Sequence, residues 1–199
     1  MGIPRQLTRK QLGEIVESYA TVFADWKIIN GQVFARSHGP IVQHVGFEAL
    51  RSGAYRPWCG ISCLSMPTVS MLYQLLDVKH RQVLLREHPS MRKDVAAAME
   101  QQFRPSIHKP LDLGEIRGLC REEARETTND LCMLAVLHAY LGETKQSLSY
   151  CERMQAVPPP TLAPRLDLEQ RRKEFGQQLM RSILTGSERQ FLELVAEQS

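Results

Sequence analysis

Six histidines and five cysteines are the residues of this chain with the most chemistry to offer. Their spacing gives that chemistry no local form. No two histidines flank a glutamate in the HExxH pattern that sets two imidazoles and a general base on one helix face, and no Cys-x-x-Cys pair supplies thiolates at zinc-binding spacing. A metal centre would have to draw ligands from distant segments, and none is expected. Within a strand, Cys59 and Cys63 would share a face yet stand about 13 Å apart at ~3.3 Å per residue, too far for a disulfide or a shared metal. The cysteines at 59, 63, 120, 132 and 151 all sit in apolar patterns. They read as reduced, buried thiols.

Nucleophile signatures are equally sparse. There is no Gly-x-Ser-x-Gly and no Gly-rich phosphate loop with a following lysine, so no cofactor is expected. Cys59 has His44 as a conceivable cross-strand neighbour, which would make a thiolate–imidazole pair. A reactive thiol needs a nearby cation or helix N-terminus to lower its pKa, whereas burial in mid-strand raises it. His138 lies inside the most apolar stretch and reads as a core histidine hydrogen-bonded within a bundle. What remains suits recognition better than catalysis: Arg56 and Trp58, with His44 and Glu48, on one face of two neighbouring strands. Trp and Arg are the types most enriched at binding hot spots. The same face admits a second reading, in which later helices wrap over it and bury Trp58.

The elements that must position these residues lie between Trp26 and Met66. Asn30-Gly31 separates WKII from QVFAR and is a strong hairpin signal, because a type I′ turn needs φ > 0 at both central positions. IVQHVGFE (41–48) and AYRPWCGISCLSM (54–66) follow, divided by Arg51-Ser52-Gly53. Alternation sets Ile41, Gln43, Val45 and Phe47 on one face and Val42, His44, Gly46 and Glu48 on the other. In the next run Tyr55, Cys59, Ile61 and Cys63 oppose Arg56, Trp58, Ser62 and Leu64. Pro57 marks an edge or an irregularity.

Helical periodicity brackets this meander. Leu12, Ile15, Val16, Tyr19 and Phe23 predict an amphipathic helix over 8–24 with Thr8 as N-cap. PTVSMLYQLLD (67–77) has helical spacing, 78–88 leans to helix, and MRKDVAAAMEQQF (91–103) is helical. RPSIHKPLD is the candidate boundary between residues 1–110 and a helical subdomain, 111–199. In the latter, 127–154 predicts a hairpin of two helices turning at Gly142, the first apolar all round and hence central. No second copy appears at a solenoid period. AVPPPTLAP (156–164) predicts a stiff linker, followed by a stripe of Leu168, Phe175, Leu179 and Ile183 and a short helix from Ser187. The expected fold class is α+β: an N-terminal helix on a small antiparallel sheet, then a helix-rich half.

Composition excludes several classes. At 199 residues, 43% hydrophobic and 24% charged, the chain is globular and not disordered. No apolar run approaches the ~20 residues of a membrane helix. The N-terminus lacks an apolar secretory segment, and Gln6 stands where acylation after Gly2 needs Ser or Thr, so the expected location is cytoplasmic. Residues 1–110 carry 14 Lys and Arg against 8 Asp and Glu, and 111–199 carry 11 against 14. The basic residues form no stripe, which argues against nucleic acid as the partner.

The order of elements, with Phe34, Arg36, Gln43 and the triplet Tyr55-Arg56-Pro57, resembles a group of small α+β bacterial domains. These occur among the immunity proteins of polymorphic-toxin and contact-dependent secretion systems. The resemblance covers roughly residues 8–100. It implies a cytoplasmic, non-enzymatic protein that neutralises a cognate protein toxin by occlusion, and it carries over no functional residue; Arg56, Trp58, His44 and Glu48 are candidate contacts on their residue types and shared face alone. Two other readings stay open: a helical adaptor or scaffold using 111–199, and an enzyme with a dispersed active site.

Overall fold

The computed structural model describes residues 6–67, 71–160 and 163–197. Helix α1 spans Arg9–Ser18. Gln11 N donates to Thr8 Oγ1 at 3.2 Å and Thr8 N donates to Gln11 Oε1 at 2.9 Å, a reciprocal capping box. The apolar pattern runs on to Phe23, but the helix stops at Ser18, whose hydroxyl donates to Ile15 O at 2.6 Å. The amides of Tyr19, Ala20, Val22 and Phe23 then bond carbonyls three residues back, so the chain tightens into turns. Tyr19 and Phe23 still reach the core.

Strands β1 (Lys27–Ile29), β2 (Val33–His38), β3 (Ile41–Ala49) and β4 (Ala54–Cys63) follow as a meander. Asn30 and Gly31 take φ of 51° and 67°, and the turn sets Ile29 against Val33 and Lys27 against Ala35, antiparallel. The links Gly39-Pro40 and 50–53 are too short for a parallel crossover, so this pairing continues through β4.

Beyond Pro67 two expectations are corrected. Met71–Leu75, placed in a helix by its spacing, is strand β5, which extends the order to β1-β2-β3-β4-β5. The segment 78–88 is not one helix either. Val83–Leu84 is strand β6, paired antiparallel with Tyr55 and Ala54, and a 3-10 turn over Leu85–Glu87 leads into helix α2 (His88–Gln102). Short apolar runs fit both periods, and the backbone groups of β4 that lack partners decide the outcome. Residues 68–70, part of the expected helix, lie outside the described residues. β4 is thereby a central strand, and Pro57 lies two residues past Tyr55, the last residue of β4 paired with β6.

The chain forms two compact units. One takes residues up to 37, 42–61 and 72–111; the other takes 38–41, 62–71 and 112 onwards. In the first, Phe34, Val45, Phe47, Tyr55 and Cys59 from the sheet meet Ile15, Tyr19 and Phe23 and, from α2, Val95 and Met99. Tyr19 stacks on Phe47 with ring centroids 4.9 Å apart, and Phe23 on Phe34 at 4.4 Å. Gln43 is fully buried there and satisfied: Nε2 donates to Pro105 O at 2.6 Å, and Oε1 accepts from Arg36. A polar chain crosses the same layer. The Tyr19 and Tyr55 hydroxyls lie 2.9 Å apart, Tyr55 Oη lies 2.9 Å from His88 Nδ1, and His88 Nε2 lies 3.0 Å from Ser18 Oγ.

The second unit is organised around α4 (Thr128–Tyr140), buried from Leu131 to Ala139 as its all-round apolar sequence predicts. It contacts α3 (Leu113–Glu123), α5 (Thr144–Ala156), α6 (Ala163–Leu184) and α7 (Glu188–Glu197). The α4–α5 turn at Gly142 has φ 75°. The linker expected over 156–164 falls partly outside the described residues. On α6, Phe175 and Leu179 are buried but Leu168 is 39% exposed. Among the described residues, no strand occurs beyond 111 and no helix is long and apolar enough to cross a membrane.

Candidate functional site

Parity within β3 and β4 brings His44, Glu48, Arg56 and Trp58 to one side of the sheet, the side opposite the cluster that contains Val45, Phe47, Tyr55 and Cys59. Gly46 lies between His44 and Glu48 on this outer face. A Cβ at Gly46 would collide with Cζ2 and Cε2 of the Trp58 indole, so the glycine makes the space into which the ring settles. On its other flank Trp58 stacks on Tyr73 of β5, with centroids 5.5 Å apart and planes 27° apart. Trp58 is half-buried, while Tyr73 is 46% exposed.

Beside the rings, Arg56 donates from Nε at 3.0 Å and from Nη2 at 2.7 Å to the same Glu48 oxygen, Oε2. The pair is partly open, with the Glu48 side chain 47% and the Arg56 side chain 27% exposed. Both charges act on the Tyr73 phenol: burial raises its pKa, Arg56 opposes the rise and Glu48 adds to it. Burial lowers the pKa of His44, which favours the neutral imidazole in the physiological range. The face therefore presents two stacked rings, one fixed ion pair and a neutral donor–acceptor ring. That set can bind by stacking, cation contact and hydrogen bonding.

The other candidates resolve into structure. His44 and Cys59 stand on opposite faces, so no thiolate–imidazole pair forms; Cys59 Sγ instead accepts from Gln43 Nε2 at 3.6 Å, and burial pushes its pKa up to about 12. His138 is buried, stacks on Tyr150 at 5.1 Å and donates from Nδ1 to Glu143 Oε2 at 2.5 Å. Arg117 grips the same carboxylate and is the main reason its pKa is lowered. Burial outweighs Glu143 and lowers the pKa of His138, whose Nε2 is enclosed with no partner among the described residues. Among the described residues, no three His, Cys, Asp or Glu are grouped to hold a metal.

One member of the face, Tyr73, was not foreseen from sequence, because its segment has helical spacing. Alternation places Gly46 on this face, but its role shows only when Trp58 is seen against it. No family model, curated protein or solved structure matches the chain, so the reading of this face rests on its own residues.

Proposed function

We propose that this protein is a non-enzymatic binding factor of the immunity or antitoxin kind. It acts in the cytoplasm and neutralises a cognate protein toxin by covering it. The observation that carries the reading is the Trp58–Tyr73 stack, half open to solvent with the Arg56–Glu48 pair beside it. Aromatic rings and a preoriented arginine are the anchors around which interfaces of ordinary size, about 1,600 Å² in total, concentrate their energy. The excess of basic residues over 1–110 suits a toxin surface that is acidic around the site of contact. Occlusion needs a complementary surface and no catalytic set.

The test is titration of the purified protein with the product of the neighbouring open reading frame, alongside Arg56→Ala and Trp58→Ala. Loss of a central anchor costs ~2 kcal/mol or more, about thirtyfold in affinity, measured below the thermal midpoint of each variant so that lost packing is kept apart from lost binding. Binding that neither substitution weakens would move the interface off this face.

A second reading, an adaptor working through the helical unit, is favoured by one observation. Leu184 is 77% and Leu194 50% exposed, and Leu194 lines a shallow groove with Phe191 and Arg181. Replacing both leucines by serine distinguishes the two, because only the adaptor would lose its partner.

A further inference from the structure

Arg36 differs from the arginines held in ion pairs. Arg56 has Glu48, Arg117 has Glu143 and Arg153 has Glu126. Arg36 is half-buried and meets only neutral acceptors among the described residues. Nε and Nη2 donate to Gln43 Oε1 at 3.0 and 2.8 Å, and Nη2 donates to Ser106 O at 2.5 Å. The guanidinium carbon lies 4.7 Å from the centroid of Trp26, a cation–π contact. Three of five N–H groups are thus fixed, and the two on Nη1 have no protein acceptor among the described residues.

A cation withdrawn from water without a counter-charge is costly, and here the cost is visible: burial lowers the pKa of Arg36, and only the Cys59 thiol opposes the shift. The fixed N–H groups have a structural task, since they satisfy the buried Oε1 of Gln43 and the carbonyl of Ser106, but that task gives no role to the two on Nη1. Arg36 lines a crevice of 230 Å³ together with Thr21, Asp25, Trp26, Ile107 and His108. That volume admits a few heavy atoms.

We propose that this crevice binds a single carboxylate, presented by an acidic side chain or by a free chain terminus, through Nη1 of Arg36 over the Trp26 ring. One available nitrogen and one positive charge suit a monoanion held by one oxygen. The carboxylate of Asp25 on the rim disfavours a dianion such as phosphate. The site lies apart from the Trp58 face, and its test does not depend on the toxin reading.

The experiment follows the indole N–H resonance of Trp26, distinguished from that of Trp58, the other tryptophan, with Trp58→Phe. Four probes are titrated: N-acetyl-glutamate N-methylamide, its glutamine counterpart, N-acetyl-glycine and inorganic phosphate. A saturable shift with one or both carboxylates is expected, at least tenfold weaker with the glutamine amide and with phosphate. Response to the glutamate probe assigns a side-chain source, and response to N-acetyl-glycine a chain terminus. Arg36→Gln removes the response. Should that variant fail to fold, Asp25→Asn decides: Asp25 is exposed, and removing its charge tightens carboxylate binding about threefold, the scale of one surface charge pair. Absence of a saturable shift with both carboxylates, an equal response to the glutamine amide, tighter binding of phosphate, or unchanged affinity in Asp25→Asn would each overturn the assignment.

Discussion

The indole of Trp58 occupies the space that a side chain on Gly46 would need. Gly46→Ala therefore forces the ring away from its stack with Tyr73. Overpacking of this kind costs about 1–3 kcal/mol. The expected outcome is a lower thermal midpoint and a red-shifted Trp58 emission, measured in a Trp26→Phe background. An unchanged spectrum would mean that the ring has another place to sit.

The Arg56–Glu48 pair should matter to recognition far more than to stability. Partly exposed pairs contribute about 0.2–1 kcal/mol to folding. A double-mutant cycle with Arg56→Ala and Glu48→Ala should give a coupling inside that range that shrinks with added salt. A coupling of several kcal/mol would show the pair to be a structural tie.

His88 gives the fold a pH dependence with a definite sign. In its neutral form Nε2–H donates to Ser18 Oγ, which donates to Ile15 O, while Nδ1 accepts from the Tyr55 hydroxyl. A second proton on Nδ1 would face the Tyr55 oxygen and turn that hydroxyl towards Tyr19. Burial, aided by Arg92, lowers the pKa of His88 below its ordinary value of 6.5. The unfolded chain then takes up the proton first. Stability is complete above about 6.5 and declines as the pH falls below it. His44 and His138 shift in the same direction. Carboxylates titrate near 4, so the thermal midpoint between about pH 6.5 and 5 isolates the histidines. An NMR titration that places His88 above 6.5 contradicts this account.

The thiols should be inert. Burial raises all five, pushing Cys59, Cys63, Cys120 and Cys151 up to about 12 and Cys132 well above its usual value. Thiol titration should label slowly in the native state and give five fast equivalents after denaturation. A fast equivalent in the native protein would locate a reactive cysteine.

Local chemistry made much of this fold legible. Thr8 reads as a cap, Asn30-Gly31 as a turn, and Leu131 to Leu141 as a central helix, because each signal acts through residues close in sequence. The same parity placed His44, Glu48, Arg56 and Trp58 on one face. Tyr73 escaped because Met71, Leu72, Leu75 and Leu76 satisfy helical spacing, and only β4 settles the segment as a strand. The seat of Arg36 escaped for a related reason. Its third bond goes to the carbonyl of Ser106, 70 residues away in a proline-rich connector where no periodicity applies.

The interleaving of the two units bears on how such a chain can be inherited. Leu64 N donates to Pro40 O at 2.7 Å, and the buried hydroxyl of Ser65 donates to Leu192 O on α7 at 2.8 Å, so early segments are completed by the last helices. A break after residue 111 would leave residues 38–41 and 62–71 without the helices they group with. No single crossover point separates an exchangeable sheet module from an exchangeable helical one. A chain exchanged at one point therefore has to supply, in its new half, the partners that residues 38–41 and 62–71 group with.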